Sequence, residues 1–418
     1  MKHIDAAIIT IGDELLIGQT IDTNSAFIAR ELNRIGIWVK RRIAIGDVRE
    51  EILEALKEQS RDCEVIIITG GLGPTADDIT KPTLCEYFNT HLVVNEDALE
   101  NVKEIFARYN RPLIERNLKQ AEVPENCTVL PNRRGTAPGM WFEKDGVHYA
   151  SLPGVPNEMK GLMIHSVIPM LKERLTLPAV VHKTLLMAGK GESEVAEILL
   201  QFEASLPAYI KLAYLPGYGT LRLRLTGRSD NASVIKQEVE QKFNEMKPLV
   251  QEWLIDDQDI TIQEAVSNIL KQKRKTLSTA ESCTGGFIAH LITSKPGSSA
   301  IFNGSIVSYA NEVKEHILGV NQETIKQYGA VSEETVTEMA KGVLKATNTD
   351  YSIATSGIMG PDGGTLEKPV GTVWIAVGIK DNIKASRHHF RFDRSRNIEQ
   401  TAQTALIMLW RFIMEAKK

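Results

Sequence analysis

Cysteine is scarce in this chain, and what little there is has no pattern. Cys63, Cys85, Cys127 and Cys283 form no CxxC pair and keep no Cys/His spacing, which argues against both a zinc site and a disulfide framework. A reducing compartment fits that usage. Long apolar runs are lacking too: residues 6–11 are broken by Gly12-Asp13-Glu14, and no later stretch is apolar for long enough to span a bilayer. The expectation is a cytoplasmic protein. Positive charge is not in excess, and a net charge of −4 argues against a broad nucleic-acid-binding face. The local cluster Lys40-Arg41-Arg42 reads as the edge of a strand. A full P-loop is missing as well, since Gly189-Lys190-Gly191-Glu192-Ser193 lacks its spacing and reads as a turn before a helix over 194–200.

What is present is ordinary globular composition, 43% hydrophobic and 24% charged, over 418 residues. That length exceeds one core, and three domains are expected: 1–170, 171–255 and 256–418. In the first, strand-like runs (6–11, 38–45, 64–69) alternate with helical patterns (25–35, 49–59), which predicts an α/β fold with a parallel sheet covered on both faces. Ligands of such sheets sit beyond the carboxyl ends of the strands. Three of those ends are marked: Gly12-Asp13-Glu14, Gly46-Asp47, and Gly70-Gly71-Leu72-Gly73-Pro74-Thr75-Ala76-Asp77-Asp78. A glycine-rich loop offers N–H groups to phosphates, and carboxylates at neighbouring strand ends can hold a divalent metal. Residues 171–255 read as a small α+β connector, with strands over 212–214 and 221–226 and a helix over 233–246. It is assigned no chemistry.

The third domain, α/β again, carries the stretch on which the chemistry centres, residues 279–314. A β-like run, 275–280, ends in Glu281-Ser282-Cys283-Thr284, turns at Gly285-Gly286 and becomes a helix at Phe287. The new helix start, with its free N–H groups, is a candidate phosphate site. A second turn, Pro296-Gly297-Ser298-Ser299, precedes a strand over 301–309, and Lys314 lies just after Asn311. Serine needs a base to act as a nucleophile at neutral pH. His290 lies mid-helix and His316 beyond Lys314, so lysine is the candidate, which requires a pKa well below its usual ~10.4. Burial or a nearby cation does that. Further on, a helix over 332–346 with Ser332 as N-cap, strands over 351–355, 370–379 and 388–392, and a last helix to Glu415 are expected. The glycine-rich loop 356–364 suggests close approach to a ligand, and Arg394 can present a guanidinium to phosphate.

Two sets of motifs carry a resemblance. IGDELLIGQTIDTN, TGGLGPTADDITKPTL and LPGVPNEM look like the amino-terminal domain of the competence/damage-inducible CinA proteins. That domain is similar to the molybdopterin-binding domain of molybdenum-cofactor biosynthesis proteins. The resemblance implies hydrolysis of ADP-ribose to AMP and ribose 5-phosphate, dependent on a divalent metal (Mg or Co) and potassium. Asp47 and Asp78 then stand at the catalytic acids, Glu14, Asp77, Asp78 and Glu158 are the metal candidates, and Gly70, Gly71, Gly73 and Thr75 the substrate loop.

ESCTGG, PGSSAIF, SYANEVK, GAVSEETV, TSGIMGPDGGT and EKPVGTVWIA look like the CinA carboxyl-terminal domain, which also occurs alone as nicotinamide mononucleotide deamidase. That implies a Ser/Lys dyad needing no cofactor, with Lys314 as base and Ser299, or else Ser282, as nucleophile. Tyr309 would relay a proton or orient Lys314, while Thr284, Gly285, Gly286, Ser356, Gly357 and Arg394 would contact substrate. The resemblance also implies a homodimer acting on small nucleotides. The rival reading is a nucleotide- or pterin-binding protein of the competence or DNA-damage response, without turnover at one or both sites.

Overall fold

The computed structural model describes residues 4–75 and 77–415. The chain falls into two compact units, Met1–Val181 with Gly227–Glu238, and His182–Thr226 with Val239–Lys418. No helix among the described residues is long and apolar enough to cross a membrane.

In the first unit, strands β1 (Asp5–Ile11), β2 (Trp38–Ile45) and β3 (Val65–Thr69) are joined in one sheet by β6 (Thr128–Leu130), β7 (Gly139–Lys144) and β8 (Val147–Leu152), after a separate ribbon of β4 (Leu92–Val94) and β5 (Glu122–Pro124). The order is β2-β1-β3-β8-β7-β6. β2, β1, β3 and β8 are parallel, β7 runs against them, and β6, antiparallel to β7, runs with them again. Successive residues of a strand face opposite sides. Ile8, Val65 and Ile67 accordingly join a core with Ile28 and Leu32 of helix Thr23–Arg34, while Ile9, Ile66 and Ile68 join one with Ile52 and Leu56 of helix Arg49–Asp62. Burial on both faces is why residues 65–68 read as an unbroken apolar run. Lys40, Arg41 and Arg42 lie on β2, at the sheet's edge.

A four-stranded sheet follows, with β9 (Ala179–Ala188), β10 (Ile210–Pro216), β11 (Thr220–Ser229) and β12 (Leu254–Asp256) in the order β10-β11-β9-β12. β9 and β12 were not expected from the sequence. Gly189 is the turn before helix Glu192–Ala204, as anticipated.

The second unit also holds β13 (Leu277–Glu281), β14 (Phe302–Val307), β15 (Tyr351–Gly357), β16 (Thr372–Ile379) and β17 (Asn382–His389), ordered β14-β13-β15-β16-β17. β14, β13 and β15 are parallel; β16 and β17 alternate in direction. β17 begins at Asn382 and ends at His389, so it takes in only the first two residues of the expected 388–392 strand. Helix Glu333–Thr347 is capped by Ser332, whose hydroxyl accepts from Thr335 N at 3.2 Å. Register explains how closely that helix lies. Ala280, Ala354, Ala376 and Ala385 pair in one row across four strands, and the first three pack with Val336, Met339, Ala340 and Val343 of the helix. The opposite face, with Leu277, Ile353 and Ile375, is covered by helices Ile262–Lys273 and Arg394–Glu415.

A larger side chain in that alanine row has nowhere to go. Ala354→Leu is expected to destabilise the chain by about 2–3 kcal/mol, read as a lower urea midpoint at unchanged slope; an unchanged midpoint would show that the helix does not rest on the row.

Candidate active site

Three parallel strands deliver the carboxyl-terminal site. The register Glu281↔Val307 and Glu281↔Thr355 brings the carboxyl ends of β13, β14 and β15 level. Ser282 N then donates to Thr355 O at 3.0 Å and Ser308 N to Glu281 O at 2.9 Å. Beyond those ends lies a cavity of about 200 Å³ lined by Ser282, Cys283, Tyr309, Asn311, Lys314, Ser356, Gly357 and Arg394, among others. A larger one of about 620 Å³ shares Cys283, Tyr309 and Arg394 with it and is lined further by Thr284, Gly285, Gly286, Phe287 and His290.

Lys314 is only 1% exposed. Its Nζ donates to Ser308 O at 2.7 Å and Tyr309 O at 3.2 Å. Burial pulls its pKa below the ordinary lysine value, against smaller opposing pulls from Cys283 and Glu312. Ser282 shares the cavity, nearly buried at 9%.

Ser299 is elsewhere. It is exposed, in the turn Ser298–Ala300 before β14, whereas Lys314 follows that strand. The strand's six residues at ~3.3 Å each put roughly 20 Å between the two turns. The expected preference for Ser299 over Ser282 therefore does not survive the fold. Tyr309 is also corrected in part: its carbonyl orients Lys314, but its phenol takes a bond from Arg394 Nη2 at 3.0 Å. Arg394 Nη1 donates to Gly360 O at 2.7 Å, fixing the guanidinium at the mouth of both cavities. Ser356 Oγ donates to Ala330 O at 2.6 Å.

The helix start behind Gly285-Gly286 is already filled. The buried carboxylate of Glu281 accepts from Gly286 N at 3.1 Å, Ile288 N at 3.0 Å and Ala289 N at 2.8 Å, and from Thr284 Oγ1 at 2.7 Å. The expected phosphate site there is overturned, because those donors have an acceptor. Sequence reasoning gave Glu281 no role, although an acid ending an all-buried strand before a glycine turn was a readable signal. In loop 356–364 Gly360 has a φ of 87° and a Cβ on it would come within 2.6 Å of Val370, so backbone conformation and packing together account for the glycine.

In the first unit the marked strand ends do meet. Asp13 N donates to Asp47 Oδ2 and Asp47 N to Asp13 Oδ1, each at 3.3 Å. Burial, and after it the charges of Asp13, Glu14 and Asp77, raise the Asp47 carboxyl above its ordinary value, while the bond from Asp13 N opposes them. Asp78 does something different: it accepts from Gly73 N at 2.8 Å and from Thr75 N at 2.9 Å, bracing its own loop. Glu158 takes Asn132 Nδ2 at 2.6 Å, and burial raises its carboxyl. Glu14, Asp77, Asp78 and Glu158 thus do not assemble as one metal site, and among the described residues no three His, Cys, Asp or Glu side chains gather to hold an ion. Gly70 and Gly71 are required by packing: a Cβ would come within 2.1 Å of Ile11 O or of Thr80 Oγ1, and both have positive φ. Lys81, which the sequence did not single out, is buried beside this loop with Nζ on Gln120 O at 2.8 Å, and burial lowers it to about 8.

Comparison with known proteins covers both units. Residues 259–413 match the family described as CinA C-terminal domain, and residues 7–173 the family described as Probable molybdopterin binding domain. A CinA-like protein of Cytophaga hutchinsonii is 45% identical over 415 residues, 99% of each chain. A Putative competence-damage inducible protein of Clostridium beijerinckii is 40% identical over 98% of this chain and all of its own. A solved CinA superfamily protein of Klebsiella pneumoniae is 33% identical, covering 37% of this chain and 96% of its own with a TM-score of 0.36. With motifs and identity running along nearly its whole length, this chain belongs to the CinA family.

Proposed function

We propose that the carboxyl-terminal site is a Ser/Lys amidase that converts nicotinamide mononucleotide to nicotinate mononucleotide and ammonia. One observation carries the reading. A neutral amine has two hydrogens and one lone pair, and the two carbonyls on Lys314 Nζ take both hydrogens. The lone pair is left for the proton of Ser282, which lines the same cavity. Burial keeps the amine inclined to neutrality.

In the reaction, Ser282 Oγ bonds to the carboxamide carbon as its proton passes to Lys314. The N–H groups of Cys283 and Thr284, next after Ser282 in the turn, stabilise the oxyanion. On collapse the C–N bond breaks, and Lys314 returns the proton to the leaving ammonia. Water then adds to the acyl ester, giving a proton to Lys314; the ester C–O bond breaks as Lys314 passes that proton to Ser282 Oγ, and the carboxylic acid released loses its own proton to solvent. With the helix start closed by Glu281, the 5′-phosphate is assigned to Arg394.

Ser282→Ala and Lys314→Ala should each lower ammonia release from nicotinamide mononucleotide by at least about 10³-fold, while Ser299→Ala should leave it unchanged. Full activity in either of the first two variants would end the dyad reading. A base works deprotonated, so kcat should rise with pH to a plateau through an apparent pKa below the 10.5 of free lysine; a rate falling over that range would contradict it.

For the first unit the reading is cleavage of the ADP-ribose diphosphate to AMP and ribose 5-phosphate, with Asp47, a carboxyl raised by burial and like charge, taking the proton of the attacking water. The carboxylates expected to bind a metal do not converge among the described residues. Asp47→Asn should abolish AMP formation and spare ammonia release. Binding of ADP-ribose by the unaltered chain without AMP formation would favour a nucleotide- or pterin-binding role instead.

A further inference from the structure

We infer that Glu281 is a positioning residue for the amidase: its carboxylate, 0% exposed, sets the conformation of the Ser282–Gly286 turn and thereby the aim of the Ser282 hydroxyl. The inference rests on the Ser282 reading above and adds to it a residue that touches neither substrate nor the reacting atoms.

The geometry explains the whole ESCTGG segment. A helix begins with N–H groups that have no partner of their own, and helix Phe287–Thr293 begins at Gly286, whose lack of a side chain leaves it without a local cap. Glu281, five residues back, takes that place. Oε2 accepts from Gly286 N and Ile288 N and from the Thr284 hydroxyl; Oε1 accepts from Ala289 N at 2.8 Å and from Thr279 Oγ1 at 3.2 Å. The chain between must fold back on itself for those donors to reach. Gly285 and Gly286 do this with φ of 59° and 93°, a region that costs other residues energy. A Cβ on Gly285 would meet nothing within 4 Å, so its backbone conformation and not crowding calls for glycine. The turn closes with Gly285 N on Ser282 O at 3.2 Å and Phe287 N on Thr284 O at 3.0 Å.

Ser282 is thus held from both sides. Its N–H is fixed by Thr355 O on β15, and the residues after it are fixed by Glu281. No ion pair to Glu281 occurs among the described residues, so N–H groups and hydroxyls alone meet the carboxylate. An amide in its place keeps the shape but offers one acceptor oxygen where two served six donors, Ser305 Oγ at 3.5 Å being the sixth, and turns an NH2 towards N–H groups. An aspartate keeps the charge and falls short by one methylene.

The test uses the full-length chain and two readouts. The first is the rate at which a fluorophosphonate phosphonylates Ser282, with loss of fluoride, the site being located by peptide mass spectrometry; it reports the nucleophile whatever the natural substrate is. The second is kcat and KM for nicotinamide mononucleotide. Glu281→Gln should slow labelling and lower kcat by about 10²-fold, the scale of a misplacement near 1 Å, with KM within about threefold. Glu281→Asp should restore part of the labelling rate. In a Ser282→Ala background, adding Glu281→Gln should leave substrate affinity unchanged. Labelling of Ser282 at the unaltered rate in a folded Glu281→Gln chain would overturn the inference. So would loss of substrate affinity in the double variant in parallel with kcat, because that marks a general structural role. If the unaltered chain labels at Ser282 but releases no ammonia, the substrate reading fails while the labelling comparison still decides the role of Glu281.

Discussion

Two main-chain carbonyls, those of Ser308 and Tyr309, hold the buried amine of Lys314, and the carboxyl-terminal site is built around that contact. A lysine needs a lowered pKa to act as a base, and burial supplies it only where the neutral amine is still satisfied. The carbonyls satisfy it because β14 ends level with β13, which Ser308 N on Glu281 O enforces. The placement of that amine therefore begins in the register of three parallel strands.

Seen this way, the closed turn after β13 has two tasks. It presents Ser282 to the cavity that Lys314 enters, and it occupies its own helix start through Glu281. A helix N-terminus filled by a buried carboxylate does not also hold a phosphate, and the guanidinium of Arg394, fixed by Gly360 O and the Tyr309 phenol, is the cation available at the cavity mouth. The first unit shows a comparable economy: Asp78 braces the loop that carries it, and the Asp47 carboxyl is raised by burial and, after it, by the acids around it.

Much of this was legible in the residues. Alternation and helical spacing located β2 at 38–45, the helix from Glu333 and its Ser332 cap, and the last helix to Glu415. β17 was misplaced because Asn382, Lys384 and Arg387 give an edge strand little apolar pattern to read. That Ser299 lies at the far end of a strand from Lys314 was readable by a rule already in use. In a run of parallel strands the turn after a strand and the turn before the next lie at opposite ends of the sheet; Ser282 and Lys314 both follow strands, and Ser299 precedes one. Weighing local turn chemistry in place of that rule led to the wrong end. The role of Glu281 and the scatter of the four expected metal ligands depend on side-chain directions, which spacing along the chain does not convey.

The account turns on the protonation of one amine. Heteronuclear NMR titration of the Lys314 side chain, in the Ser282→Ala chain to keep substrate intact, tests it most directly. The account predicts that Lys314 loses its proton below the ordinary lysine value of 10.5, at the same pH where turnover by the unaltered chain gains its activity. A Lys314 that titrates as a free lysine, while ammonia release already runs at its plateau, would contradict it.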